Sequence, residues 1–348
     1  MNLRSRINYC GALGAGIFLA AFFGGLVCHG VAAAEDSDPD RTAEQECLFM
    51  ALETAPDGTT IDELRAQCQA ENLSDTKVED KGLLATRRYT DADNKLRPFT
   101  LMAHKPNYIL VACYNNSPNN SPWREGFKDS EPELDNVETQ FQVSIKIPLA
   151  TDLFNNKVDI FSGYTVRSYW QTYNKDLSAF FRETNYSPEV WMQIHNDWSF
   201  WGIKNKMYGF GFVHQSNGRA DPISRSWNRV FATFIFEKGN LAFSIKPWYR
   251  IPEDDEDDDN SDITDYMGHG EIAAAYKWHR NTFAVISRNN LESGFKKGGV
   301  EASWSFPLGN YKYLKGYIQG FTGYGQSLID YNSCESSIGI GFAITDWL

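Results

Sequence analysis

From about residue 104 to its end the chain alternates apolar and polar side chains with period two, in short segments separated by polar loops. Val143, Ile145, Ile147 and Leu149 share one parity, with Ser144, Lys146 and Pro148 between them. Near the C-terminus Ile338, Ile340, Phe342 and Ile344 face one way, and Gly339, Gly341, Ala343 and Thr345 the other. A period of two belongs to a strand whose two faces meet different surroundings. Two architectures satisfy it: a soluble β-sandwich or barrel with the apolar face inward, or a membrane barrel with that face toward lipid and the polar face toward the lumen. About twelve segments can be marked, near 106–114, 137–149, 157–171, 188–198, 206–216, 227–237, 240–250, 266–278, 282–289, 297–306, 313–323 and 336–346. Their number is even and their length suits a tilted membrane strand. The alternation is expected to run on to Trp347-Leu348, a terminal pattern like that of outer-membrane barrels, although such chains more often end in Phe.

The N-terminus sets the compartment. Arg4 and Arg6 precede an apolar stretch from Cys10 to Val31, then Ala32-Ala33-Ala34 and Glu35. This is the layout of a secretory signal peptide, residues 1–34, cut after Ala34; Val27 is too bulky for a lipoprotein signal at Cys28. Past residue 35 no run of 18 apolar residues occurs, which excludes a helical membrane protein for the mature chain. Export permits disulfides. Residues 35–99 read as a small helical periplasmic extension, in which Thr60 and Glu63 form a capping box. Pro56, Asp57 and Gly58 turn the chain there, and Cys47–Cys68 would staple the hairpin, worth roughly 3 kcal/mol. Residues 100–348 are the barrel. If it closes, its first and last strands are neighbours and Cys113 could bridge to Cys334.

Net charge is −12 over 348 residues. That balance argues against nucleic acid as a partner, whose affinity comes from neutralised phosphates, and leaves divalent cations open. The acid run Glu253, Asp254, Asp255, Glu256, Asp257, Asp258, Asp259 falls between the seventh and eighth segments, which puts it on the outer side if the chain starts on the periplasmic side. It reads first as a solvated loop, and second as a loose cation-collecting surface.

One stretch carries chemistry, from His214 through Ser216, Asn217, Gly218 and Arg219 to Asn228 and Arg229. Tyr208, Phe210 and Phe212 share a face, and His214 and Ser216 continue it. On the next segment Val230, Ala232, Phe234 and Phe236 share a face that Asn228 joins. Three polar groups therefore extend two lipid-facing stripes, where polar groups are costly. His, Ser and Asn so placed match a general base, a nucleophile and an orienter. Asn can hold the imidazole but cannot stabilise imidazolium by charge, so further electrostatic help is needed, and a bound cation would supply it. A bare His-x-Ser is common near strand ends; the parity of the whole stretch is what sets this one apart. His104, His195, His269 and His279 lack such partners and read as structural, and no His/Cys cluster has metal-ligand spacing.

With these residues the sequence resembles the bacterial outer-membrane phospholipase A family over about residues 100–348. The likeness extends to Phe181-Arg182-Glu183-Thr184-Asn185-Tyr186 in the second outer loop, Lys246-Pro247-Trp248-Tyr249, and Tyr324-Gly325-Gln326-Ser327-Leu328-Ile329-Asp330-Tyr331. The resemblance implies an all-β, twelve-stranded antiparallel transmembrane β-barrel in the outer membrane, with its active site facing the outer leaflet. It implies calcium-dependent hydrolysis of phospholipid and lysophospholipid acyl esters by a homodimer. Carried over, Ser216 is the nucleophile, His214 the base, Asn228 the orienter and the Gly218 N–H an oxyanion donor. Calcium would take the Arg219 carbonyl, the Ser224 hydroxyl and the Ser178 carbonyl of the partner subunit; Asp221 and Asp262 match a second, weaker calcium site. Leu177 and Ala179 depart from the more polar family form. The rival readings are a non-enzymatic pore or structural barrel, and another barrel lipid esterase such as a lipid A deacylase.

Overall fold

The computed structural model describes residues 59–64, 82–84, 87, 90, 91, 94, 95, 100–126, 133–254, 256 and 258–348. Residues 1–34 and the Cys47–Cys68 pairing lie outside them. The chain forms two compact units, one spanning Gly24–Lys81 and the other holding everything from Gly82 onward. In the first, the capping box is formed: the Thr60 N–H donates to Glu63 Oε2 at 2.9 Å and the Glu63 N–H to Thr60 Oγ1 at 3.4 Å. The second takes in residues ahead of position 100.

Twelve long strands make up the second unit: β1 Asn107–Asn115, β2 Val137–Asp152, β3 Val158–Trp170, β4 Glu183–His195, β5 Ile203–Ser216, β6 Ser226–Lys238, β7 Leu241–Ile251, β8 Gly270–Trp278, β9 Asn281–Asn289, β10 Gly298–Leu308, β11 Tyr311–Tyr324 and β12 Cys334–Thr345. Each pairs antiparallel with its sequence neighbour, and β12 pairs with β1, so the sheet closes. Closure is what a bilayer demands, because an open edge would leave backbone donors and acceptors unpaired in hydrocarbon. Two-residue strands at Met102–Ala103 and Ser199–Phe200 add to β2 and β5.

The parity argument locates the lipid face. Val143, Ile147, Leu149, Phe210, Phe212, Val230, Ile338, Ile340, Phe342 and Ile344 are all exposed, while Ser144, Gln140, Ser168, Ser303 and Ser337 are buried inside. The two ends differ. At one, β6–β7, β8–β9 and β10–β11 are joined by two-residue turns; at the other, the connections include the 18-residue β7–β8 loop and the 21-residue β1–β2 connection. Outer-membrane barrels put short turns in the periplasm and long loops outside. Exposed Trp198, Phe200, Trp201, Trp278, Tyr311 and Tyr313 crowd the short-turn end, the aromatic girdle of a membrane interface. The lumen is filled rather than open. Phe161, Trp191, Trp227, Phe231 and Trp248 pack together inside it. Glu189 is held by Lys105 at 2.8 Å and His104 at 2.8 Å, and Arg167 pairs with Glu301 at 2.9 Å. A cavity of about 260 Å³ remains toward the short-turn end.

Three expectations are corrected. Strand β4 begins at Glu183, so most of Phe181–Tyr186 is strand and not loop; its polar side chains look like a loop in sequence because they point into a polar lumen. Strand β12 stops at Thr345, and Trp347 and Leu348 line the lumen cavity instead of extending the lipid face. Asp346 makes the change of course, accepting from Lys315 Nζ at 2.7 Å and Ser305 Oγ at 2.5 Å inside the barrel. Finally, Cys113 is a free, buried thiol. Its strand does neighbour β12, but Cys113 pairs with Gly339. Cys334 lies five residues further along, about 16 Å at about 3.3 Å per residue, far beyond the span of a disulfide.

Candidate active site

The site sits on the β5–β6 hairpin at the long-loop end. The register pairs His214 with Asn228 and Ser216 with Ser226. His214 Nδ1 lies 2.9 Å from Asn228 Oδ1. A carbonyl oxygen only accepts, so this contact requires Nδ1–H and leaves Nε2 free as an acceptor. His214, Ser216 and Asn228 are all half-buried on the outward face. Among the described residues no hydrogen bond joins His214 to the Ser216 hydroxyl; the two side chains share a face two residues apart on β5, and catalytic contacts of this kind commonly tighten only on substrate.

The lumen side of the hairpin is pinned. Gln215 Oε1 accepts from Trp227 Nε1 at 2.9 Å and from Arg229 at 3.0 Å, and the Arg229 guanidinium lies 3.7 Å from the Trp227 ring centre. Rigid strands below thus fix the angle of the groups above.

The loop from Asn217 to Arg225 is organised by Asn217, which the sequence shows only as half of an ordinary Asn-Gly turn. Its Oδ1 accepts the Arg225 N–H at 3.0 Å and the Arg219 N–H at 3.3 Å, and its Nδ2 donates to the Ile223 carbonyl at 2.8 Å. Gly218 follows at φ 63°, and a Cβ there would come within 3.1 Å of the Tyr186 ring. The Arg219 guanidinium donates to the carbonyls of Phe181 and Arg182, both at 2.8 Å. Arg219, Asp221 and Ser224 are thereby held on one short loop directly after Ser216. The donors it offers are all oxygen, the chemistry calcium takes. Among the described residues no cluster of three or more His, Cys, Asp or Glu side chains could hold a metal alone; what the loop offers is carbonyl, hydroxyl and single carboxylate oxygens, donors whose chemistry suits calcium.

The Ser178 carbonyl, on the β3–β4 loop, accepts from Trp170 Nε1 at 2.9 Å. Leu177 beside it is buried with Trp123, Leu134, Ile223 and Ile329, which explains an apolar residue there: it anchors the loop under the cap of the barrel. Asp221 and Asp262 are both exposed, and Asp262 accepts from the Tyr331 hydroxyl at 2.5 Å. Burial, then the Asp262 carboxylate, push the Tyr331 hydroxyl well above its ordinary range, so it stays a donor.

Two groups around the site carry no signal in the sequence. Glu253, one member of the acid run, accepts from Asn228 Nδ2 at 2.8 Å. Asn260 accepts the Ser226 N–H at 2.9 Å, seating the β7–β8 loop on the hairpin. The motifs also lock together: Arg182 bonds Glu138 and Asp330, Glu183 accepts the Ile329 N–H at 3.2 Å, and Asn185 accepts the Leu328 N–H at 2.9 Å. His104 and His195 bind Glu189 and Asp159 inside the barrel, without Ser or Asn partners.

Fold and site together define an outer-membrane β-barrel with polar chemistry mounted on its lipid-facing wall. The Phospholipase A1 family model matches residues 84–344. A relative in Neisseria meningitidis is 41% identical over 253 residues, 70% of this chain and 65% of its own length, just under two thirds. The solved outer membrane phospholipase A from Escherichia coli superposes with TM-score 0.67 at 33% identity, over 72% of this chain and all of that one; that enzyme has also been solved as an asparagine-to-alanine active-site mutant. The Salmonella typhi outer membrane phospholipase dimer with bound calcium matches at TM-score 0.67 and 33% identity, over 73% of this chain and 96% of that one. The chain belongs to the phospholipase A1 family of outer-membrane phospholipid ester hydrolases. The pore and lipid A deacylase readings give way to that membership.

Proposed function

We propose that this barrel hydrolyses acyl esters of phospholipids and lysophospholipids in the outer leaflet, using Ser216, His214 and Asn228, with calcium and as a homodimer. The observation that carries the reading is the 2.9 Å contact of His214 Nδ1 with Asn228 Oδ1 on a wall that otherwise faces lipid. The asparagine in the active site of the E. coli enzyme supports it.

An ester arriving laterally from the leaflet meets the hairpin where the apolar stripe ends. Ser216 Oγ attacks the acyl carbon as its proton passes to His214 Nε2, and Asn228 Oδ1 holds the imidazole through Nδ1–H. The Gly218 N–H donates to the oxygen that becomes negative. His214 then protonates the departing alkoxide, releasing the lysophospholipid. Water deprotonated by His214 attacks the acyl-serine, the Ser216 oxygen leaves and recovers a proton from His214, and fatty acid is released. Calcium, held by the Arg219 carbonyl and the Ser224 hydroxyl with the Ser178 carbonyl of the partner subunit, would supply positive charge near the developing oxyanion, which a neutral Asn cannot. Asp221 and Asp262 are the candidates for a second, weaker site. The few oxygen donors of one loop fall short of the roughly six to eight that calcium takes, and the calcium-bound dimer of the S. typhi protein supports a second subunit among the donors that complete the shell. Two walls meeting in the membrane plane would enclose the acyl chain that either wall alone leaves in lipid.

The test is fatty-acid release from defined phospholipid micelles by the purified protein, with crosslinking on the same samples. Chelating calcium is expected to lower the rate roughly 10²–10³-fold, the scale for one electrostatic stabiliser of an oxyanion, and to lower the dimer fraction with it; re-added calcium restores both. Full activity in monomeric protein would refute the dimer-gated mechanism, and release from lipid A but not from phospholipid would replace the substrate.

A further inference from the structure

An amide is two-sided. If Asn228 turned over, its NH₂ would face His214 Nδ1, which would then have to accept. The imidazole proton would move to Nε2, and the base would lose the lone pair it needs toward Ser216. Something must therefore hold the amide the right way round. His214 cannot, because it adapts to either face by changing tautomer.

The group on the other side of the amide can. Glu253 Oε1 lies 2.8 Å from Asn228 Nδ2, and a carboxylate accepts and never donates. Its reach is built into the sheet: Asn228 pairs with Ile251 on β7, and Glu253 follows two residues on, past Pro252. The loop after it is tied down, with Asp258 bonded to Arg250 at 2.6 Å and Asn260 to the Ser226 N–H at 2.9 Å. Asp254 and Glu256 of the same acid run are exposed; Glu253 is half-buried and turned to the site.

We infer that Glu253 is a positioning residue, which orients the Asn228 amide with its oxygen toward His214 and so selects the Nδ1–H tautomer. The inference rests on the Ser216–His214–Asn228 reading. It also answers a deficit of that triad, since it puts a negative charge one hydrogen bond behind a neutral orienter.

The test uses the full-length, calcium-loaded protein labelled with 15N-histidine, the His214 ring signals being identified by their loss in His214→Gln. The wild-type ring is expected in the Nδ1–H tautomer. Glu253→Gln keeps the size but can donate as well as accept, and Glu253→Ala removes the partner; both are expected to mix the tautomers and lower kcat about tenfold, part of the roughly 10²–10⁴-fold a general base contributes, with KM little changed. Glu253→Asp is expected to retain the wild-type tautomer. Wild-type tautomer and kcat in the Gln and Ala variants would overturn the inference, and so would a loss of kcat with the tautomer unmoved, which would assign the loss to the loop. Activity surviving in Ser216→Ala would instead overturn the triad reading, whatever Glu253 does.

Discussion

Ser216→Ala is expected to abolish fatty-acid release, with kcat down at least about 10³-fold, because substitutions of residues that act as one catalytic unit remove most of the unit's effect. The change takes away a single half-buried hydroxyl at the end of β5, and no hydrogen bond of the described barrel depends on it. Folding should be untouched, so heat-dependent mobility on gels and circular dichroism ought to match the wild type. KM should move little, since in the proposed scheme the acyl chain would lie against the exposed apolar wall of Phe210, Phe212 and Val230 and the hydroxyl would contribute to the bond-breaking step alone. The measurement is fatty acid released from phospholipid micelles with calcium present. Retained turnover in a well-folded Ser216→Ala protein would remove the nucleophile from the scheme and leave His214 and Asn228 to activate water directly. Loss of turnover together with loss of calcium-dependent crosslinking would place Ser216 in assembly rather than chemistry.

Period-two patterning carries the barrel because lipid on one side and a polar lumen on the other impose opposite demands on alternate residues; Val143 to Leu149 and Ile338 to Ile344 show this without any structure. It fails where both faces become polar. Glu183 and Asn185 belong to β4 but resemble a loop, since at the rim their neighbours are Ile329 and Leu328 backbone groups instead of lipid. The chain end fails for the opposite reason: Trp347 and Leu348 are apolar yet turn inward, because Asp346 is claimed by Ser305 and Lys315. The site divides in the same way. His214, Ser216 and Asn228 are legible because parity aligns them across one hairpin with a short separation. Glu253 is not, since its approach to Asn228 depends on how an acidic loop leaves β7, and acidic loops usually only face water. Arg182 is a third case: its motif can be recognised, but what it holds lies 44 residues before it and 148 after.

Arg182→Ala is expected to be the most damaging single change to the barrel's outer end, lowering stability by about 3–5 kcal/mol, the cost of stranding buried charges after one partner is removed. Arg182 is buried just before β4. Its Nη2 donates to Glu138 Oε1 at 2.9 Å, its Nη1 to Asp330 Oδ2 at 3.0 Å, and its guanidinium lies 4.9 Å from the Tyr169 ring centre. Without it, Glu138 of β2 and Asp330 of the β11–β12 loop become two buried carboxylates with no cation between them. Asp330 also accepts from Ser327 of its own loop and from Asn119 of the β1–β2 loop, so the loss spreads to one more loop. Charge, rather than shape, makes the prediction specific. Arg182→Met keeps much of the volume and should destabilise nearly as much, whereas adding Glu138→Gln and Asp330→Asn to Arg182→Met should recover most of the loss. Urea unfolding in lipid vesicles, followed by tryptophan fluorescence, reads all three proteins. The effect should reach the chemistry as well, because the Arg182 carbonyl holds the Arg219 guanidinium at 2.8 Å and with it the loop proposed to bind calcium. A higher calcium concentration for half-maximal activity is therefore expected alongside the stability loss. A destabilisation below about 1 kcal/mol, the range of exposed pairs, would mean that water reaches the two carboxylates and that the outer cap is held by the Leu177–Trp123–Ile329 cluster instead.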